Sequence, residues 1–388
     1  MARSGEIRVN PALLRWARET SGENIEHIAK RLGVKTESVE KWETGERLVT
    51  YRRLESLADV YKRPVAAFFL SKVPEEPVGP TDFRAARKTS IKAEKDLKLS
   101  VRRARFLRNA YADINPSHTI FAERRTSLSD NPEDVARAER ERLGITFAAQ
   151  SSWRVGTEAY NKWKLVLEES GVLVFQSGFE TDDLSGFSLG DSGKPPVVVV
   201  NSRDATTRRS FTLFHEYCHI LLNSAGICKP QISAEEFQRD ASVETFCDKF
   251  AAAFLVPREH FLEQRALLRV TDVVEGDKAI KSLANAFKVS RQVILIQLLL
   301  TQKISKEYYN EKKLQYDAEY KAILAEKKRK QNESKSGPPR HLLAVSENGK
   351  PFTRAALRAY REGRISSRDV SGYLSVKLEH IPAIESVM

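Results

Sequence analysis

The chain has only 3 cysteines in 388 residues. A small, odd number in a chain this long makes no disulfide framework, which points to a reducing compartment, the cytoplasm. No run approaches the roughly 20 apolar residues that a membrane span needs, so no membrane partner is expected. The opening Met1-Ala2-Arg3-Ser4-Gly5-Glu6 lacks the apolar core of a signal peptide. Internal repeats and long low-complexity tracts are absent too. Acid is the scarcer charge. Lys and Arg number 64 against 52 Asp and Glu, a net charge of +12 that permits a nucleic-acid partner without requiring one. Core-forming residues are plentiful, with 41% hydrophobic, and the length suits two or three domains.

Punctuation residues divide the chain. Asn10-Pro11 places a cap and a proline before Ala12 to Ala17. Asn24 opens a second helix, Ile25 to Leu32, stopped by Gly33; a third runs from Thr36 to Glu43 and ends at Gly45; a fourth spans Tyr51 to Tyr61. Two short helices joined around a glycine make a helix-turn-helix pattern. Pro74, Pro77 and Pro80 then rule out a continuous helix and mark a linker. A basic segment follows from Arg84 to Arg108, opposed only by Glu94 and Asp96. Further helices are expected at Pro132–Leu143 and Trp153–Ser170. Val172–Phe175, Val197–Val200 and Gly186–Leu189 read as strands. Helical pattern returns from Arg208 to about Leu300, and a polar helical stretch ends in Lys327-Lys328-Arg329-Lys330. The expected class is α+β, with a small sheet beside several helices. The expected divisions are 1–72 for the helix-turn-helix domain, 73–81 for the linker, 82–300 for the α+β domain with basic N-terminal helices, and 301–388 for a helical C-terminal region with a linker near 331–339.

The chemistry concentrates in Phe211-Thr212-Leu213-Phe214-His215-Glu216-Tyr217-Cys218-His219. Two histidines four apart share one helix face and can grip one ion. Zinc suits neutral imidazole, and a catalytic zinc keeps three protein ligands and one open position. Glu216 can then take a proton from the attacking water. The missing ligand is expected downstream, where Glu244 and Asp248 lie one turn apart among Phe246, Phe250, Ala251 and Phe254. Glu244 can bind zinc, and Asp248 can accept the second ring N–H of a ligand histidine. Arg208, Arg209 and a tyrosine that the sequence does not single out are candidates to stabilise an oxyanion.

Together, the helix-turn-helix pattern, Asp82-Phe83-Arg84, the strand ending Val200-Asn201-Ser202, His215-Glu216-x-x-His219, Glu244-x-x-Cys247-Asp248 and Leu255-Val256-Pro257 carry a resemblance. Over roughly residues 7 to 300 the chain resembles the ImmA/IrrE family of zinc metallopeptidases with an N-terminal Xre-type domain. The resemblance implies a zincin-like fold with an HExxH helix, His215, His219 and Glu244 as zinc ligands, and Glu216 as catalytic base. It implies a protein substrate too: a helix-turn-helix repressor, encoded nearby, whose single cleavage derepresses genes of mobile elements, stress responses or antiphage defence. The family often has Ala-Asn where this chain has Cys247-Asp248, which draws Asp248 closer to the aspartate of glutamate-ligand zincins.

Four readings complete the expectation. Cys218 and Cys247 are packing residues, whereas Cys228, in Gly226-Ile227-Cys228-Lys229-Pro230, is a candidate thiolate that caps the open zinc position at rest. The segment Leu283–Val293 imitates a second helix-turn-helix and is expected to pack on the peptidase core. Glu37 and Glu40 stand on the recognition helix where carboxylates repel phosphate. DNA, single-stranded or damaged, is instead expected as an activator bound through Arg102, Arg103 and Arg105. The rival reading is a DNA-binding regulator with a structural or vestigial zinc site; an intact Glu216 favours the enzyme.

Overall fold

A computed structural model describes residues 5–74, 91–116, 125–179, 184–190, 193–224, 227–228, 242–267, 276–333 and 337–388. Asp82-Phe83-Arg84 and most of the proline-rich linker lie outside them. The chain divides into two compact units, residues 1–103 with 179–183, and residues 104–178 with 184–388.

In the first unit, β1 (Glu6–Ile7) pairs antiparallel with β2 (Val49–Thr50) beside α1 (Pro11–Ser21), α2 (Ile25–Leu32), α3 (Thr36–Thr44) and α4 (Tyr51–Tyr61). The asparagines start two of these helices as their chemistry dictates. Asn10 accepts from the Ala12 N–H at 3.0 Å and Asn24 from that of His27 at 2.8 Å. Gly33 turns α2 into α3 with a φ of 63°, a left-handed value that glycine adopts without a Cβ penalty. Leu13, Ala17, Ile28, Val39, Trp42 and Leu54 form the core. Arg18 ties α1 to α3 through Glu43 at 2.8 Å. Glu37 and Glu40 are exposed on α3.

The basic helix α5 (Ile91–Ile114) crosses the division. Its Arg102 caps the end of α4, donating to the carbonyls of Tyr61 at 3.2 Å and Lys62 at 2.6 Å.

The second unit holds α6 (Pro132–Arg142), α7 (Phe147–Ser152) and α8 (Thr157–Glu169). The sheet strands follow: β3 (Leu173–Ser177), β4 (Gly186–Leu189), β5 (Val197–Asn201) and, after α9 (Thr206–Leu221), β6 (Ile227–Cys228). The strand order is β3-β5-β4-β6, with β3 parallel to β5, and β4 antiparallel to both β5 and β6. The sheet is covered on both faces. Val174, Val198 and Val200 join the core beneath α9, while Phe175 meets Phe352 edge-on at 5.9 Å. The segment expected as a loop at Ile227-Cys228 is this short edge strand, with Cys228 opposite Gly186.

Then come α10 (Val243–Leu255), α11 (Arg258–Leu267), α12 (Gly276–Phe287), α13 (Arg291–Leu300) and α14 (Lys306–Glu333). The imitation helix-turn-helix is α12 and α13, and Ile280, Leu283, Phe287, Val293 and Ile296 are buried in the core with α9 and α10. The C-terminal residues form α15 (Arg340–Asn348), α16 (Lys350–Arg361), α17 (Ser367–Leu374) and α18 (Ile381–Glu385). They are tied to α8 and to the sheet: Lys164 of α8 and Gln176 of β3 both donate to the Ser346 carbonyl, at 2.8 and 2.7 Å. Among the described residues no single helix is long and apolar enough to cross a membrane.

Candidate metal centre

Every residue from Ser210 to Leu221 is buried, so α9 is a core helix and its histidines are held by packing. Aromatic contacts fix it against its neighbours. Phe214 stacks on Phe254 of α10 with ring centroids 4.0 Å apart, and Trp163 of α8 stands edge-on to Phe214 at 5.1 Å. A polar tie reaches from this core to the surface: buried Tyr217 donates to buried Glu139 at 2.7 Å, and exposed Arg142 donates to the Tyr217 oxygen at 2.8 Å. On the second helix, Ser242 caps the start by accepting from the Thr245 N–H. That cap sets the first turn, which carries Glu244, and the next turn carries Asp248.

The two helices bring three groups to one point. The Nε2 atoms of His215 and His219 are 3.1 Å apart, and each is 3.3 Å from an oxygen of Glu244. The other ring nitrogens face outward. His215 Nδ1 lies 2.8 Å from Asp248 Oδ1, and His219 Nδ1 lies 3.2 Å from Ser224 Oγ. Asp248 accepts, so Nδ1 of His215 carries the proton. Ser224 gives its own proton to the His219 carbonyl at 3.4 Å and is left to accept from Nδ1. Both Nε2 lone pairs then point with the carboxylate into the same space.

Three acceptors and no donor are repulsive alone and are satisfied by a cation. The donor set of two imidazoles and a carboxylate suits zinc, and the 3.1–3.3 Å spacings approach the roughly 3.3 Å expected for tetrahedral bonds of about 2.0–2.1 Å. His215, His219 and Glu244 are the group among the described residues that could hold a metal. Burial would raise the Glu244 carboxyl, but without a cation the two imidazoles can take up a proton at Nε2 and hold it well below the usual range, so the same cluster draws positive charge either way. Its side chain keeps 34% exposure against 1% for each histidine, so the cluster opens to solvent on the Glu244 side.

Glu216 is wholly buried beside the cluster, and neither carboxylate oxygen has a hydrogen-bond partner among the described residues. Burial raises its pKa, and the attraction of His219, His215 and the Ser188 hydroxyl only partly offsets this. Room for it comes from β4. A Cβ on Gly186 would stand 2.6 Å from the Val199 carbonyl, 2.7 Å from Thr212 and 3.6 Å from Glu216 Cγ, so only glycine lets this strand lie against the helix. Ser224, Ser188 and Gly186 were not singled out from sequence, where a serine after a helix or a glycine in a strand signals nothing about chemistry.

The remaining candidates are placed elsewhere. Arg208 donates to Ser185 at 3.2 Å, and Arg209 to Gln176 at 2.6 Å, both on the first turn of α9. Cys218 and Cys247 are free and fully buried. Only the backbone of Cys228 is described; its side chain lies outside the described set. Arg102, Arg103 and Arg105 are half-buried on α5, and none belongs to the metal cluster.

Residues 167–299 match the family model of the IrrE N-terminal-like domain, a metal-dependent peptidase family, and residues 12–68 match that of a helix-turn-helix domain. No curated protein matches the chain.

Proposed function

For a chain that carries an IrrE N-terminal-like peptidase domain preceded by a helix-turn-helix domain, we propose a zinc-dependent endopeptidase that cleaves a partner helix-turn-helix repressor. The observation that carries the reading is the convergence of His215, His219 and Glu244 beside a buried carboxylate that has no hydrogen-bond partner among the described residues. A structural site needs no such carboxylate, and leaving one buried and unpaired is costly.

Zinc, when bound, supplies Lewis acidity toward a water and toward the scissile carbonyl. The chain supplies the rest. His215 and His219 present their Nε2 atoms because Asp248 and Ser224 hold the opposite ring nitrogens. Glu216 takes a proton from the attacking water onto a carboxylate oxygen, aided by its raised pKa, and returns that proton to the leaving amine as the C–N bond breaks. Burial against β4, where a Cβ on Gly186 would stand 3.6 Å from Glu216 Cγ, shields the carboxylate from bulk water.

The expected trigger is single-stranded DNA, engaged by the basic face of α5 through phosphate contacts. Cys228 is carried as the residue that caps the open position at rest, so that Cys228→Ala raises basal cleavage. The test is incubation of the purified protein with the neighbouring gene's product, with and without single-stranded DNA. One discrete cut that a chelator abolishes supports the reading; an intact partner under all conditions contradicts it.

A further inference from the structure

At the far end of α10 from Glu244, a cleft of about 370 Å³ opens between α6, α11 and α13. Glu244 and Ala253, which lines the cleft, are nine residues apart, or about 14 Å at 1.5 Å per residue. The cleft is therefore separate from the metal cluster.

Its floor holds an unusual cation. Arg140 is only 6% exposed, and its one hydrogen bond among the described residues runs from Nη1 to the Phe254 carbonyl at 2.6 Å. Nε and Nη2 have no partner among the described residues, and Arg140 forms no ion pair there. The rings of Trp163 and Phe254 lie 5.9 and 5.5 Å from its guanidinium carbon. Burial pulls its pKa down to about 10, and no carboxylate pulls it back. The other arginines of the cleft are occupied: Arg137 pairs with Asp134, and Arg258 with Glu133 at 3.4 Å. A buried guanidinium that lines a cavity with Nε and Nη2 unpartnered among the described residues is a charge that awaits a counter-ion.

The remaining walls limit what that counter-ion can be. Phe147 and His260 stack with ring centroids 4.6 Å apart and 16° between planes, forming a flat surface on one side. Exposed Glu141 and Glu259 at the lining disfavour a polyanion such as a nucleic acid, whose neighbouring phosphates would meet them. We propose that this cleft binds a small organic anion, a carboxylate or a phosphate ester bearing a flat apolar group, with Arg140 as its charge partner.

A purely structural Arg140, capping the C-terminus of α10, would show the same burial. Ligand selectivity separates the two roles. The full chain, both zinc-loaded and chelator-treated, is titrated calorimetrically with benzoate, with phenyl phosphate and with neutral benzamide. One benzoate or phenyl phosphate should bind per chain, equally in both metal states, and benzamide at least about tenfold more weakly. The stronger of the two anions identifies the carboxylate or the phosphate class. Arg140→Gln should weaken anion binding by about tenfold or more. Ala253→Leu, which fills the cleft and leaves Arg140 in place, should abolish it, and it carries the test if Arg140→Gln fails to fold. Failure of both anions to bind, equal binding of benzamide, dependence on zinc, or binding that survives Ala253→Leu overturns the proposal.

Discussion

Asp248 Oδ1 on α10 stands 2.8 Å from His215 Nδ1 on α9, so the carboxylate that orients the first histidine comes from the helix that supplies Glu244. One element thus carries a would-be ligand and the group that fixes the opposing ligand's tautomer. Asp248→Ala should leave the fold intact and lower zinc affinity about 10–100-fold, read by competition with a chelator. Unchanged affinity would remove Asp248 from the site.

The close approach of β4 to α9 gives a second prediction. Gly186→Ala forces a methyl to 2.6 Å from the Val199 carbonyl and 2.7 Å from Thr212. The variant should lose about 1–3 kcal/mol in denaturant unfolding, because neither neighbour is a flexible chain end. A change under about 0.5 kcal/mol would mean that the strand moves away freely.

Much of this was legible in the sequence, because it rested on local signals. Asn10, Asn24, Gly33 and Gly45 mark helix ends through groups within a few residues, and those ends stand where expected. Val197–Val200 and Gly186–Leu189 are strands, but the order β3-β5-β4-β6 depends on long-range pairing that no local signal carries. The two residues of β6 are too few to show a period, so Cys228 read as loop. His215, Glu216 and His219 announce themselves by spacing. Ser224 does not, since its role depends on a turn in which Asn223 takes a φ of 50°. Arg140 was hidden for a different reason. It lies in Arg137–Arg142, where charges alternate and the pattern is that of a solvated helix, yet its side chain is buried.

Buried Glu216 links function to stability. Its folded pKa is raised above the ordinary 4.5, so the folded state binds the proton more tightly than the unfolded state does. Metal-free protein should therefore lose stability as pH rises from about 4.5 through the folded value. Glu216→Gln should abolish that loss and stabilise chelator-treated protein at pH 7 by about 1–3 kcal/mol. Parallel stability–pH curves for the two proteins would contradict the buried, unpartnered carboxylate.

The basic face of α5 is tested by charge reversal. Arg102 caps α4, so its reversal would damage that unit; Arg103 and Arg105 are the better probes. Arg103→Glu with Arg105→Glu should weaken single-stranded DNA binding severalfold and flatten its salt dependence, read by fluorescence anisotropy at several salt concentrations. Equal affinity and equal salt slope would remove α5 as a nucleic-acid surface.

The central claim is that Glu216 works on a water beside a metal held by His215, His219 and Glu244. The most direct measurement compares wild-type protein with Glu216→Gln, scoring bound zinc and the rate of repressor cleavage in the same samples. The account predicts about one zinc per chain in both, with cleavage reduced by at least about 10²-fold in the variant, because an amide cannot accept the water's proton. Full zinc with near-normal cleavage by Glu216→Gln, or no zinc in freshly purified wild-type protein, would contradict it.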